Sequence, residues 1–481
     1  MDQDLVWWTR VVFDGWHDRP GPRHERIATA VLDAIEQRAV EPGARVPAER
    51  RLAASLGVSR GTVVTAFDHL VDAGVVVRRQ GAGTSVVGRP SWTRPQRESG
   101  VATLLLRRLA ADRETIDLSL SVPAGVGHLP AVDWDLRPRA TDSHGLDPRG
   151  DPALRDAIAR HLTSRQALPT TADQIVVTAG AQQALTLLRR ALLSPTTCVV
   201  AGCPTYPGFA AAFLSGEREL LPVAIDDAGV DTDAIDRAVR RVRDAVVYVM
   251  PTGHNPTGTV MTRPRRHALL DAVASTGVTV IEDLALADLV LGGDVPDHEP
   301  LAARSRDVVA VGSLSKLMWA GLRVGWIRAE GDLLGALTRL KIDDDLATSA
   351  PAQAVATRLL DAIDDRWLTT HRRALAQRRD HLLALLAEQL PAWRASRPAA
   401  GLSVWVDVRV ARADAFAHVA ATHGVVVAAG RSACVDGRHL GAIRLSFAEP
   451  LETLDLAVER LASAWEAHSE DLAATPGETS P

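Results

Sequence analysis

From about residue 115 onward, short apolar runs alternate with helical stretches. The runs are Ile175–Val177, Cys198–Ala201, Val246–Met250, Val278–Glu282, Val308–Gly312 and Val324–Ile327. Alternation of that kind predicts an α/β domain built on a mostly parallel sheet. Long helical stretches follow residue 350. Leu402–Val408 and Ile443–Phe447 then read as strands of a smaller α+β lobe. A chain of 481 residues is too long for one ordinary domain, so two or three are expected. An apolar content of 46% supports sizeable cores and excludes wholesale disorder.

The first hundred residues follow a different pattern. Ile27, Val31 and Ile35 are spaced four apart, which predicts an amphipathic helix over 24–37. Pro42-Gly43 breaks the chain. Leu52 and Leu56 mark one face of a second helix over 48–56, which Gly57 ends. Ser59 is a good N-cap for a third helix, with Val63, Phe67 and Leu70 facing inward and Asp72-Ala-Gly74 as its end. Val75–Arg78 and Thr84–Val87 read as two strands around Gln80-Gly81-Ala82-Gly83. The sum is a helix-turn-helix followed by a β-hairpin wing. Residues 42–89 hold seven arginines (45, 50, 51, 60, 78, 79 and 89) against Glu49, Asp68 and Asp72, a basic patch in a chain of net charge −5. The N-terminal end of a recognition helix enters the major groove of DNA, where Ser59, Arg60 and Thr62 would lie. Arg50 is placed for the groove or the backbone. Residues 89–114, rich at first in Pro, Arg, Ser and Glu, read as a linker, and 466–481 as a disordered tail.

Lys316 is one of two lysines in the chain. It sits in Ser313-Leu-Ser315-Lys316-Leu-Met-Trp-Ala-Gly321-Leu-Arg323-Val-Gly325. A lysine amine can condense with an aldehyde cofactor. The two hydroxyls before it and Arg323 after it can hold a phosphate, an arrangement that suits pyridoxal 5'-phosphate (PLP). Partners stand upstream in order. Gly180-Ala181-Gln182 joins a strand to a helix whose N-terminal N–H groups suit a phosphate. Tyr206, in Pro204-Thr-Tyr206-Pro, can stack on a pyridine ring or fill a core. Asn255, in Asn255-Pro256-Thr-Gly258, can donate to the cofactor's phenolic oxygen. Asp283 ends a strand, where a buried carboxylate would pair with the pyridine nitrogen; a helix N-cap is the other reading, and the strand-end position favours the site. Arg444 can pair with a substrate or effector carboxylate or sit on a strand surface.

The string Pro47-Ala-Glu-Arg50-Arg-Leu-Ala-Ala-Ser-Leu-Gly57-Val-Ser59-Arg60-Gly61-Thr62 resembles the winged helix-turn-helix of the GntR regulators over 20–88. There the wing tip, here Gln80-Gly81, is a minor-groove contact. Residues 115–465 resemble the fold-type I PLP-dependent aminotransferases, and the fusion resembles the MocR subfamily. The resemblance implies a homodimer, often head-to-tail, that binds a DNA operator and uses PLP at Lys316 to sense an amino compound or PLP itself. The alternatives are an active aminotransferase with a vestigial head, and a regulator whose domain has lost its cofactor and only dimerises. Family members often carry a tyrosine soon after the pyridine-facing Asp, and another before the Gly-x-x-x-Leu-Arg motif. Here the stretches are Glu282-Asp283-Leu-Ala-Leu and His144-Gly-Leu-Asp-Pro-Arg-Gly150, so efficient turnover is not expected; His144 can stand in for the second tyrosine or be an ordinary satisfied surface histidine, and the surface reading is preferred. Three cysteines, Cys198, Cys203 and Cys434, lack metal-type spacing and fit a reducing compartment. Without a signal pattern or a long apolar run, the chain reads as cytoplasmic, with no membrane partner.

Overall fold

In the computed structural model the chain divides into two compact units, Met1–Arg97 and Glu98–Pro481. The division falls inside the expected 89–114 linker. The structure describes residues 5–19, 21–36, 39–40, 44–72, 75–79, 83–86, 105, 114–123, 125–134, 144–213, 220–242, 244–274, 276–292 and 298–474. The wing-tip pair Gln80-Gly81 and most of the linker lie outside them.

The first unit is the expected tri-helical head. Helices span Arg23–Glu36, Glu49–Leu56 and Arg60–Asp72, followed by antiparallel strands β1 (Val76–Arg79) and β2 (Gly83–Val86). Gly57, in the left-handed region at φ 65°, makes the turn between the second and third helices. Ile27, Val31, Leu52, Val63, Phe67 and Leu70 are all buried, as their spacing required. One boundary differs. The unit begins before residue 20, because Trp8, Val12, Phe13 and Trp16 are buried in the same core. These residues lie in or beside short helical turns, Leu5–Trp7, Trp8–Val12 and Trp16–Asp18, and the four-residue spacing of Trp8, Val12 and Trp16 is a helical signal that the sequence reading passed over.

The second unit is built on an eight-stranded sheet in the order β4-β11-β10-β9-β8-β5-β6-β7. The strands are β4 (Ile175–Thr178), β5 (Cys198–Cys203), β6 (Leu220–Asp226), β7 (Gly229–Val230), β8 (Ala245–Val249), β9 (Thr279–Asp283), β10 (Val308–Ser313) and β11 (Gly325–Arg328). The run β10-β9-β8-β5-β6 is parallel, whereas β11 is antiparallel to both its neighbours. Every residue of β4, β5, β8, β10 and β11 is buried, as expected of a sheet covered on both faces.

A smaller antiparallel sheet, β12-β13-β16-β15, forms the second lobe. It contains β12 (Arg394–Ala395), β13 (Ser403–Asp407), β15 (Ala428–Ala429) and β16 (Ala442–Ser446). A short strand β3 (Ile116–Asp117) pairs in parallel with β14 (Val425–Val426). The last helix runs Leu451–Ala474, so the chain stays helical past the expected tail boundary at 466. Leu454, Val458, Leu461 and Ala464 are buried along it, and its packing explains its persistence.

Candidate functional site

The topology brings the dispersed motifs to one edge. β5, β8, β9 and β10 are parallel neighbours, so their C-terminal ends share a side of the sheet, where ligands of open α/β sheets bind. Tyr206, Asn255, Asp283 and the Ser313–Lys316 turn follow those ends. Because β11 runs the other way, it begins there, and Gly325 pairs with both Ser313 and Thr178. Arg323 and Gly180 are thereby placed beside Ser313.

Asp283 is buried at the end of β9. Its Oδ2 accepts from the Tyr248 hydroxyl at 2.8 Å and its Oδ1 from the Ala285 backbone N–H at 2.9 Å. The carboxylate therefore both caps a turn and faces the site. Burial pushes its pKa up, while Ala285, Tyr248 and the Lys316 charge pull against that rise. Its neighbour Glu282 points to the opposite face and accepts from the N–H groups of Leu301 and Ala302 at 2.9 Å, an anchor for that loop.

Lys316 is half-buried, and its Nζ donates to the Ser121 carbonyl at 2.8 Å. Burial, then the Arg444 charge, lowers its pKa to about 7, with Asp283 opposing. An amine so tuned is substantially neutral at physiological pH and thus nucleophilic. Arg444 lies in β16 and is buried, not on a strand surface. It donates from Nη1 to Asn255 Oδ1 at 2.9 Å and from Nη2 to the Ser119 carbonyl. Burial lowers its pKa to about 10. That contact turns the Asn255 oxygen toward Arg444 and leaves its NH2 group to donate elsewhere. Arg444 Nε is buried with no partner in the structure.

The helix Ala181–Leu192 has no side-chain cap. Gly180, at φ 81°, opens it, and a Cβ there would meet Arg323 Nη2 at 2.8 Å. Only glycine lets the guanidinium lie across this turn. Arg323 itself takes a left-handed backbone at φ 53° and donates to the Ala179 carbonyl at 2.8 Å. Ser313 Oγ donates to Ser315 Oγ at 3.0 Å. Tyr206 OH donates to Gln182 Oε1 at 3.4 Å, and Gln182 Nε2 donates to the Gly208 carbonyl at 3.0 Å. Burial, with the Asp283 charge, raises the Tyr206 pKa to about 12, while Arg444 and Arg323 oppose. His144 is exposed, and its Nδ1 accepts from the Leu146 N–H.

The donor set fits PLP. Uncapped N–H groups at Ala181 and Gln182, the Ser313–Ser315 hydroxyls and Arg323 can hold a phosphate. Asp283 can hold a pyridinium, Asn255 can donate to the phenolic oxygen, and Lys316 can meet the aldehyde. The sequence reading missed three contributors. Tyr248 stacks on Phe209 with centroids 3.8 Å apart and planes 6° off parallel while it donates to Asp283. Ser119 and Ser121 supply carbonyls to the two cations. A Tyr within an all-buried strand looks like core packing, and backbone carbonyls leave no signature in side chains.

In the head, Arg50, Ser59 and Arg60 are exposed and Thr62 is half-buried. Ser59 Oγ accepts from the Thr62 N–H at 3.1 Å and bonds the Thr62 hydroxyl at 2.9 Å, so both are engaged in the cap. Arg78 is paired with Glu49 and Asp68, which removes one arginine from the basic count.

Residues 139–461 match the family Aminotransferase class I and II, and residues 23–86 match the bacterial regulatory proteins of the gntR family. The chain belongs to the class I and II aminotransferase family, a PLP-dependent family, and carries a GntR-type head. It is 28% identical over 411 residues to the HTH-type transcriptional regulator YisV of Bacillus subtilis, covering 80% of this chain and 84% of that protein. It is 27% identical to the probable rhizopine catabolism regulatory protein MocR of Rhizobium meliloti, covering 78% and 79%. Its fold is similar to that of the α-aminoadipate aminotransferase LysN of Thermus thermophilus, solved with N-(5'-phosphopyridoxyl)-L-leucine, at a TM-score of 0.63 and 25% identity over 78% of this chain and 96% of that one. Among the described residues no helix is long and apolar enough to cross a membrane.

Proposed function

We propose that the protein is a transcription regulator of the MocR type, which binds a two-half-site DNA operator as a homodimer, arranged head-to-tail, and senses an amino acid or PLP in its aminotransferase domain. One observation carries this reading: a single chain holds both a helix-turn-helix with exposed Arg50 and Arg60 and a constellation in which half-buried Lys316 joins buried Asp283, Asn255 and Arg444. When bound, PLP supplies an aldehyde and an electron-withdrawing ring. Asp283 orients the ring through its nitrogen, with Tyr248 fixing the carboxylate. Arg323 and the helix N-terminus at Ala181 and Gln182 hold the phosphate. Arg444 offers a carboxylate site near the Lys316 amine, so a primary amine bearing a carboxylate is the effector class that suits the site.

Such a ligand alters DNA binding only by its differential affinity for two states of the dimer. The test titrates the full chain with PLP and then amino acids, reading DNA affinity and glutamate formation from 2-oxoglutarate together. A change in DNA affinity with negligible turnover is expected. Sustained turnover at unchanged DNA affinity would overturn the sensor reading and establish the second one, a working aminotransferase, which the near-neutral pKa of Lys316 favours.

A further inference from the structure

Beyond the PLP constellation, two of the three cysteines converge with an aspartate. Cys203 ends β5 and Cys434 follows β15, more than two hundred residues later. Their Sγ atoms are 3.8 Å apart. Both thiols donate to the same oxygen, Asp436 Oδ1, from Cys203 at 2.9 Å and from Cys434 at 3.2 Å. The three ligand atoms lie within 4.8 Å of one another. We propose that Cys203, Cys434 and Asp436 bind a soft divalent cation of the zinc class. This proposal does not depend on the regulator reading.

The spacing supports it. Two sulfurs about 2.3 Å from a tetrahedral zinc are about 3.8 Å apart, the separation found here. A sulfur and a carboxylate oxygen on the same ion are about 3.6 Å apart, so Asp436 would retreat by roughly half an ångström. Backbone donors face both sulfurs. The backbone N–H of His439 donates to Cys434 Sγ at 3.3 Å, and hydrogen bonds from the backbone of Val435 and Asp436 act on Cys203. The other carboxylate oxygen, Asp436 Oδ2, is held by Arg438 Nε, an outer partner of the kind that orients metal-ligating carboxylates. Loading replaces two thiol protons with one dication, so the net charge of the cluster is unchanged and about two protons leave per ion bound.

Oxidation of the pair to a disulfide is the competing chemistry. A disulfide would need the two sulfurs drawn from 3.8 Å to about 2.05 Å, whereas a tetrahedral metal ion fits their present separation. The placement has a consequence. The Thr205 N–H already donates to the Ala433 carbonyl at 2.8 Å, and Tyr206 follows directly. A bound ion would add a covalent-strength tether between the Tyr206 loop and the 430–439 segment.

The experiment uses the full chain, reduced with a phosphine and freed of metal, titrated with Co2+ and then Zn2+. Tetrahedral thiolate ligation of one Co2+ per chain should appear as absorption in the red, which Zn2+ abolishes. Cys203→Ser and Cys434→Ser should each remove it, and Cys198→Ser should not. In the unaltered protein, one equivalent of Zn2+ should protect Cys434 from alkylation and release about two protons. No red absorption and unchanged alkylation of the reduced protein would overturn the site. So would recovery of Cys203 and Cys434 as a disulfide in a protein that, once reduced, takes up no metal.

Discussion

Arg60 and Lys316 each stand in a short, recognisable string, yet their environments are opposites. Arg60 is exposed at the start of its helix, carried by a three-helix scaffold whose core needs nothing from it. Lys316 is enclosed, and its proton affinity is set by burial, by Arg444 and Asp283 from other parts of the chain, and by Arg323 from its own string. The head works by presenting charge to water and can change a contact residue without repacking. The aminotransferase domain works by withholding water, so each member of its site changes the chemistry of the others.

That contrast is tested most severely at Lys316. Lys316→Ala should abolish the near-visible absorbance of the PLP-loaded protein and the capture of cofactor by borohydride, with helix content and DNA affinity of the unliganded protein unaltered. An unchanged spectrum would break the assignment. The amine should also report its enclosure through pH. Its pKa is lowered to about 7 from 10.5. Between those values the unfolded chain holds a proton that the folded chain has shed. The cofactor-free protein therefore gains stability as pH rises from about 7 to 10.5, and loses it as pH falls back. Urea midpoints across that window should rise less steeply in Lys316→Met than in the parent.

Asp283→Ala comes next. It removes the carboxylate proposed to face the pyridinium and leaves the Tyr248 hydroxyl buried without its acceptor, a loss of about 1–3 kcal/mol for the orphaned group alone. PLP should dissociate on gel filtration of the variant but not of the parent. Retention equal to the parent's would mean that Asp283 serves the Ala285 turn only.

Arg60→Ala should cost about 1–3 kcal/mol of operator affinity, the worth of one good base contact. The cofactor spectrum should not change, which is the independence the comparison requires. Fluorescence anisotropy on operator and scrambled DNA across a salt series gives the measurement. If both DNAs weaken equally and the salt slope falls by about one, Arg60 touches phosphate alone.

The two regions were also unequally legible in sequence. The head is contiguous, so its apolar spacing and the Gly57 turn are written within some fifty residues, and the observed helices start within a residue or two of those expected. The Trp8–Trp16 segment carries a four-residue apolar spacing too, but it is broken into brief turns of different helical type, so no single long amphipathic helix stands out in its sequence. In the larger domain the strands were visible as apolar runs, but their order was not. That Thr178, Gly325 and Ser313 stand side by side follows from β11 running antiparallel, which no local pattern encodes. Site members carried by side chains at strand ends could be named in advance. Those acting through a carbonyl, such as Ser119 and Ser121, or from mid-strand, such as Tyr248, could not.

Tyr248 offers the smallest and most discriminating test. It is buried, stacked on Phe209, and its hydroxyl meets Asp283 at 2.8 Å. Burial first, then Asp283, raises its pKa well above the usual tyrosine value, so it donates its proton in the hydrogen bond at any working pH. Phenylalanine keeps the ring and its stacking while it deletes one donor. Ala285 still holds the other carboxylate oxygen, so the fold should stand and Asp283 should stay in place. What changes is the carboxylate's acidity: without the donor, its proton is harder to remove, and its grip on a ring nitrogen slackens. Tyr248→Phe should therefore weaken PLP binding by about 1 kcal/mol, with thermal stability nearly unchanged. A large drop in stability with normal PLP affinity would return Tyr248 to the core and leave Asp283 without a second support.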